Sequence, residues 1–185
     1  MLLAAGGGTR FAGEVHKLRA PFRGRPLLAH ALDAVVGSGL DAVVVTGAVA
    51  VEDLVPAGIA VLANPDWAEG QATSVHVGIA EARRRGHDAV VVGLGDQPFV
   101  AAADWRAAAA CDADLAVAVH DGHRGHPVRL GAAVWDLLPH RGDEVGRALM
   151  RDRPELVREI RCEAGPGSDR PATDIDTVED LRRWS

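Results

Sequence analysis

The sequence predicts an α/β fold, a three-layer, Rossmann-like domain around a mostly parallel central sheet. Three observations carry that expectation. Short, continuously apolar runs recur along the chain, as they do in strands buried on both faces. They alternate with segments of helical length and composition. Hydrophobic residues make up 48% of the 185 residues, only 4% are aromatic and none is tyrosine, a composition suited to close packing of helices on a sheet. A chain of this length can bury one sizeable core, so residues 1–185 are expected to form a single domain.

The elements follow in order. Strands are predicted over residues 1–5, 42–46, 59–62, 89–94 and 115–119, most of them bounded by Gly, Asp or Pro. Helices are predicted over 26–36, 73–85 and 101–110. Beyond Asp121 the alternation weakens. A turn at Asp121-Gly122 sends a strand back over 123–130, residues 143–151 suit a helix, 155–161 a strand, and 177–184 a closing helix. Gly165-Pro166-Gly167-Ser168-Asp169 is expected to be an irregular loop. In open α/β sheets ligands bind beyond the carboxyl ends of the strands. The loops after Ala5, Thr46, Leu62 and Leu94 are therefore the ones to inspect.

Charge excludes some functions. A formal net charge of −6 argues against a broad nucleic-acid or acidic-membrane surface. An anionic ligand would have to be held locally, by a loop, a few cations or a metal. Cys111 and Cys162 belong to no C-x-x-C pattern and read as reduced thiols. No signal-peptide pattern and no apolar run of membrane-spanning length is present, which leads us to expect a cytoplasmic protein with no membrane partner.

Lys17 is the sole lysine; the other basic residues counted with it are all arginine. It follows a glycine-rich loop, Gly6-Gly7-Gly8-Thr9-Arg10-Phe11-Ala12-Gly13, which itself follows the first apolar run. Such loops cradle phosphates with backbone N–H groups, and a compact ammonium beside one adds a point charge. A dinucleotide fingerprint starting at Gly6 needs glycine where Phe11 stands, and an acid where the second strand leads into Thr46-Gly47-Ala48. A P-loop fits the spacing of Gly8 and Gly13, but Glu14-Val15 follow instead of Lys-Ser/Thr.

Two acidic sites stand out. Asp96 lies in Leu94-Gly95-Asp96-Gln97-Pro98, at the end of a buried-looking strand. It can hold Mg²⁺ against phosphates or cap the next helix. Asp174-Ile175-Asp176-Thr177 precedes the closing helix. Asp176 can join Asp96 on a metal, or Asp176 or Thr177 can cap that helix, with Glu179 and Asp180 favouring its N-terminal dipole.

A third phosphate-loop pattern fits. Leu3-Ala4-Ala5-Gly6-Gly7-Gly8-Thr9-Arg10-Phe11 with Lys17-Leu18 resembles the opening of the MobA-like nucleotidyltransferases. Leu94 to Pro98, with Asp174-Ile175-Asp176-Thr177 and Glu179-Asp180-Leu181, resembles the metal-binding and closing motifs of that family's MocA-like cytidylyl branch. Asn64-Pro65-Asp66-Trp67-Ala68-Glu69-Gly70 with Ser74, Arg124-Gly125-His126-Pro127-Val128, and Gly142-Asp143 leading to Gly146-Arg147 resemble further segments, in the family's order.

The resemblance implies a three-layer Rossmann-like nucleotidyltransferase fold. It implies Asp96 and Asp176 as ligands of Mg²⁺, with Asp174 behind them. Leu3, Ala4, Ala5, Gly6, Gly7, Gly8, Arg10, Lys17, Gly70 and Ser74 would bind the nucleotide, with Arg10, Lys17 and Asp96 catalytic. Arg124, Gly125, His126 and Pro127 would shape the acceptor side. The implied reaction is CMP transfer from CTP to the terminal phosphate of a molybdopterin-type molybdenum cofactor, with a molybdoenzyme apoprotein as a further partner. Alternatives are GTP as donor, another phosphorylated acceptor, or a non-catalytic cofactor-binding maturation chaperone. The sequence departs from the family in the stretch Ala12 to His16, and the resemblance implies a first strand that starts a few residues before Met1.

His120, His123 and His126, three apart on an extended segment, point to opposite faces and make a poor zinc set. Arg83-Arg84-Arg85 suits a helix C-terminus. Trp67, Trp105, Trp135 and Trp184 read as core or rim packing.

Overall fold

The computed structural model describes residues 1–162 and 174–185. Its elements are β1 (Leu2–Ala4), β2 (Pro21–Phe22), β3 (Arg25–Pro26), α1 (Leu27–Ser38), β4 (Val43–Thr46), β5 (Ala60–Ala63), α2 (Gln71–Arg85), β6 (Ala89–Leu94), α3 (Ala102–Ala110), β7 (Leu115–His120), β8 (His123–Gly131), α4 (Ala132–Trp135), α5 (Val145–Asp152), β9 (Val157–Arg161) and α6 (Val178–Trp184). Lys17–Arg19 forms a single 3-10 turn ahead of β2. The loop expected around Gly165 to Asp169 lies outside the described residues.

Seven strands form one sheet in the order β5-β4-β1-β6-β8-β7-β9. The β5–β4, β4–β1, β1–β6 and β7–β9 pairs are parallel, and β8 runs antiparallel to both its neighbours. The mostly parallel, helix-flanked sheet expected from the sequence is therefore the fold. Strand order reverses between β1 and β6, which opens a crevice beyond their carboxyl ends.

The strands are apolar throughout because both faces are covered. Leu3, Val43, Val45, Val90 and Val92 face a cluster containing Val75 and Ile79 of α2, Trp135 of α4 and Leu149 of α5. Leu2, Ala4, Val44 and Val91 face Leu28, Leu32 and Val35 of α1 and Trp105 of α3. Alternate residues of one strand thus enter opposite cores. Each fully buried Leu or Val contributes on the order of 1.5–3 kcal/mol. α1 and α2 both stop at left-handed glycines, Gly39 (φ 72°) and Gly86 (φ 79°).

The turn at Asp121-Gly122, with φ of 49° and 81°, joins β7 to β8 as a two-residue hairpin. Its register slips midway: Val117 pairs with Val128 but Ala118 with Gly125, so His126 and Pro127 bulge out of the ladder. Sequence periodicity did not signal that bulge. It also missed the two-residue β2–β3 ribbon and the four-residue α4, which are too short to show a period. The strand expected over 155–161 begins at Val157, because Pro154–Leu156 makes a 3-10 turn.

A third cluster fixes the end of the chain. Ile175 is fully buried against Phe22 and Leu27, with Phe99, Leu181 and Trp184 packed around them. Phe99 meets Phe22 and Trp184 edge-on, with ring centroids 5.9 Å apart in each case.

Candidate active site

A cleft of about 1040 Å³ opens at the β1–β6 switch point. Its lining includes Leu3 to Gly8, Arg10 and Lys17 from the first loop, Gly70 and Ser74 at the start of α2, Asp96 and Gln97 after β6, and Asp174 and Asp176 before α6. Every residue expected to bind the nucleotide or metal therefore meets in one place. Arg124, Gly125 and His126 line the same cleft, whereas Pro127 is not among its lining residues.

Lys17 is the centre of this arrangement. Its Nζ donates to Asp96 Oδ2 at 2.5 Å and to Asp176 Oδ1 at 3.2 Å. Asp176 Oδ2 also receives Arg10 at 2.8 Å. The Lys17 side chain is 11% exposed and that of Arg10 is 74% exposed, so the first charge is built into the floor and the second reaches in from solvent. Burial opposes the Lys17 ammonium, but the Asp96 and Asp176 carboxylates outweigh it and hold the pKa above the ordinary lysine value.

Both carboxylates are placed by backbone. Gly95 N–H bonds to the Leu3 carbonyl at 2.9 Å, tying the Asp96 loop to β1. Ile175 N–H bonds to the Asp96 carbonyl at 3.1 Å, and burial of the Ile175 side chain holds Asp176 over the cleft. The capping alternatives are resolved by the neighbours. Thr177 caps α6, exchanging bonds with Asp180, and Asp104 rather than Asp96 takes the Ala101 N–H at the start of α3. Asp96 and Asp176 are thereby left for the cleft.

Two buried acceptors in this floor, Asp96 Oδ1 and Gln97 Oε1, have no hydrogen-bond partner among the described residues. Buried lone pairs of this kind call for a cation or a donor. Oxygen-only donors of this sort fit a hard divalent metal such as magnesium or manganese. Gln97 Nε2 donates to Asp174 Oδ1 at 2.6 Å. Burial, with some repulsion from Asp96 and Asp176, raises the Asp174 pKa although Gln97 and Lys17 act against the rise.

The glycine loop is shaped by groups the sequence reading passed over. His16, within the stretch that departs from the family pattern, turns back so that Nε2–H donates to the Gly6 carbonyl at 3.0 Å, while Nδ1 accepts the Leu18 N–H at 3.3 Å. Gly8, at φ 61°, lies against that imidazole: a methyl there would sit 3.0 Å from Nε2. Burial is the main cause of a His16 pKa below the ordinary imidazole value. Trp67 covers the loop from the other side, 3.0 Å from where a Gly7 methyl would stand. Trp67 is thus a cleft residue, while Trp105 and Trp135 are core as expected.

Gly70 begins α2 at φ 110°, with the Gly142 backbone 2.5 Å from its missing Cβ. Ser74 is buried, its Oγ accepting from Asn64 Nδ2 at 2.8 Å. Asp143, Arg147 and Arg151 also line the cleft; the family-like segment around Gly142 hinted at the first two, and nothing in the sequence signalled Arg151. Burial, with Arg147 and His120 nearby, lowers the His126 pKa to about 4 against the pull of Asp96. His120 Nε2–H donates to the His126 carbonyl at 2.8 Å. Arg83, Arg84 and Arg85 are ion-paired at the end of α2.

Fold and site together define an α/β protein with a glycine loop beside converging carboxylates at the switch point of its sheet. The chain belongs to the MobA-like NTP transferase domain family, whose sequence profile matches residues 1–158. It is 31% identical to nicotine blue oxidoreductase of Paenarthrobacter nicotinovorans, over 99% of this chain and 94% of that protein. It is 32% identical to the bifunctional protein GlmU of Agrobacterium fabrum, over 89% of this chain but only 37% of that protein. Among solved structures it resembles Rv0371c of Mycobacterium tuberculosis H37Rv, with a TM-score of 0.83 and 29% identity over 99% of this chain and 94% of that one. A manganese complex of Rv0371c matches with a TM-score of 0.79 and 28% identity, over 99% and 95%.

Proposed function

We propose that this protein transfers CMP from CTP to the terminal phosphate of a molybdopterin-type cofactor, releasing pyrophosphate. Membership of the NTP transferase family supports nucleotidyl transfer as the reaction class. The observation that carries the reading is Lys17 bridging Asp96 and Asp176 under the glycine loop. Mere binding of a cofactor would not require two carboxylates and a buried cation at one phosphate cradle. Leu3-Ala4-Ala5-Gly6 and Gly95-Asp96-Gln97-Pro98 favour CTP over GTP by the family resemblance.

The chemistry needs little acid–base help. A phosphate monoester has a second pKa of about 6, so the attacking oxygen is already largely anionic at neutral pH. The difficulty is bringing anions together. Glycine N–H groups cradle the triphosphate, and Gly6, with no atom within 4 Å of a built Cβ, leaves room for it. Lys17 and the exposed Arg10 neutralise charge on the leaving pyrophosphate. Ser74 and Gly70 border the nucleotide, while Arg124, Gly125 and His126 border the acceptor, with Arg147 beside them. Asp96 and Asp176 would hold Mg²⁺, which supplies electrophilic activation of the attacked phosphorus. The manganese complex of Rv0371c supports a divalent metal in this class of site.

The location we propose is the cytoplasm. Cys111 and Cys162 are unpaired, and among the described residues no helix is long and apolar enough to cross a membrane.

The test is pyrophosphate release with CTP or GTP, Mg²⁺ and molybdopterin-type cofactor. Release with CTP alone supports the reading; release only with GTP or another phosphorylated acceptor redirects it within the family. One relative is named an oxidoreductase, which favours a second reading, hydride transfer on the same scaffold. Oxidation of a nicotinamide dinucleotide, with no pyrophosphate formed, would establish that one instead.

A further inference from the structure

We propose that Lys17 occupies the divalent-cation position in the resting protein, and that a nucleoside triphosphate opens it by drawing the ammonium onto its phosphates. The metal then behaves as a co-substrate that enters with the nucleotide. This inference rests on the metal-dependent reading above.

The geometry carries it. One ammonium stands between the two carboxylates that would bind the metal, 2.5 Å from one and 3.2 Å from the other. No dication can coordinate both carboxylates through the same oxygens while Nζ remains there. The Lys17 backbone is fixed: its 3-10 turn is capped by His16, and Leu18 beside it is 3% exposed. The side-chain stem is not fixed in the same way, since four successive single bonds let Nζ move without the backbone. That stem runs under the phosphate loop, with Lys17 Cγ 3.4 Å from where a Gly8 methyl would lie. The carboxylates and the loop are therefore alternative destinations for one ammonium.

Charge drives the exchange. Lys17 pairs with Asp96 and Asp176, and Arg10 pairs with Asp176, so a dication would have to enter against the nearby ammonium. A triphosphate offers Lys17 a richer anion and leaves two carboxylates facing each other, which favours the metal. The unpartnered Asp96 Oδ1 and Gln97 Oε1 mark where acceptors already await that change. Because coupling is reciprocal, metal should tighten nucleotide binding by the same factor that nucleotide tightens metal binding.

Mn²⁺ affinity, read from the EPR signal of the free ion, tests this directly. Wild-type protein alone should bind Mn²⁺ at least about tenfold more weakly than K17M alone, since the substitution removes the competing charge. Wild-type protein with CTP should bind Mn²⁺ beyond what CTP accounts for, with D96N plus CTP as the baseline. Equal or weaker metal binding by K17M would overturn the placeholder role, whereas wild-type binding no better than D96N with CTP present would overturn the metal reading itself.

A second measurement needs no variant. With ¹⁵N-labelled lysine, Lys17 gives the only side-chain ammonium resonance in the chain. It should hold its position when Mg²⁺ is added alone and shift when CTP is added. A shift on Mg²⁺ alone equal to that with CTP and Mg²⁺ together would overturn the inference.

Discussion

Lys17 and Asp96 are 79 residues apart in the chain and 2.5 Å apart in the fold. The contact joins the loop after β1 to the loop after β6, the two parallel strands between which the strand order reverses. Asp176 completes it from the opposite end of the chain, so a single ammonium reports on how the N-terminal, central and C-terminal segments are assembled.

Lys17→Arg should reduce turnover on the order of 100-fold despite the retained charge. A planar guanidinium is too broad to take the place of a compact ammonium between Asp96 and Asp176. Pyrophosphate release and a thermal melt check this together: activity should collapse while the transition stays cooperative. Wild-type kinetics would return Lys17 to an ordinary structural ion pair.

Asp96→Asn should lower turnover on the order of 10²–10³-fold and abolish its dependence on Mg²⁺ concentration. The fold should survive, because the Asp96 carbonyl bond to Ile175 is backbone and the amide keeps an oxygen for Lys17. Magnesium-dependent activity at the normal level would exclude Asp96 as a ligand.

Two glycine substitutions should separate stability from binding. Gly70→Ala forces a side chain into φ 110° and against the Gly142 backbone at 2.5 Å, costing about 3 kcal/mol or more by urea denaturation. Gly6→Ala meets nothing within 4 Å and should leave stability within about 0.5 kcal/mol. Its methyl nevertheless enters the space proposed for phosphate, so CTP affinity should fall. Unchanged CTP binding in Gly6→Ala would count against the loop as the phosphate cradle.

The His16 latch should give CTP binding an acid limit. Burial, aided by Lys17, lowers its pKa below the ordinary imidazole value, against the Gly6 and Gly7 carbonyls. The unfolded chain then binds the proton more readily, so the contribution to stability is full above about pH 6.5. It is lost as pH falls through the lowered value, because a protonated Nδ1 cannot accept the Leu18 N–H. Calorimetric titration with CTP at pH 5.5 and 7.5 should show weaker binding in acid for the wild type. His16→Ala should bind weakly at both values; an unchanged pH dependence in that variant would assign the acid limit elsewhere.

The sequence by itself determined the architecture and most of the residues that meet in the cleft. Apolar strands report burial on both faces, and the glycine loop, Asp96 and Asp176 keep recognisable local motifs because backbone approach and strand ends demand particular residues there. It also placed the β7–β8 turn, since Asp121-Gly122 can adopt the left-handed pair a tight hairpin needs. What it left open was decided by contacts between distant segments. Whether Asp96 and Asp176 capped helices or faced the cleft depended on Thr177, Asp180 and Asp104 taking the capping bonds. The bulge at His126-Pro127, the reach of Trp67 over Gly7, and the turn of His16 back to Gly6 have no local period or spacing to announce them. Only packing around Ile175, at the far end of the chain, put two carboxylates on one lysine.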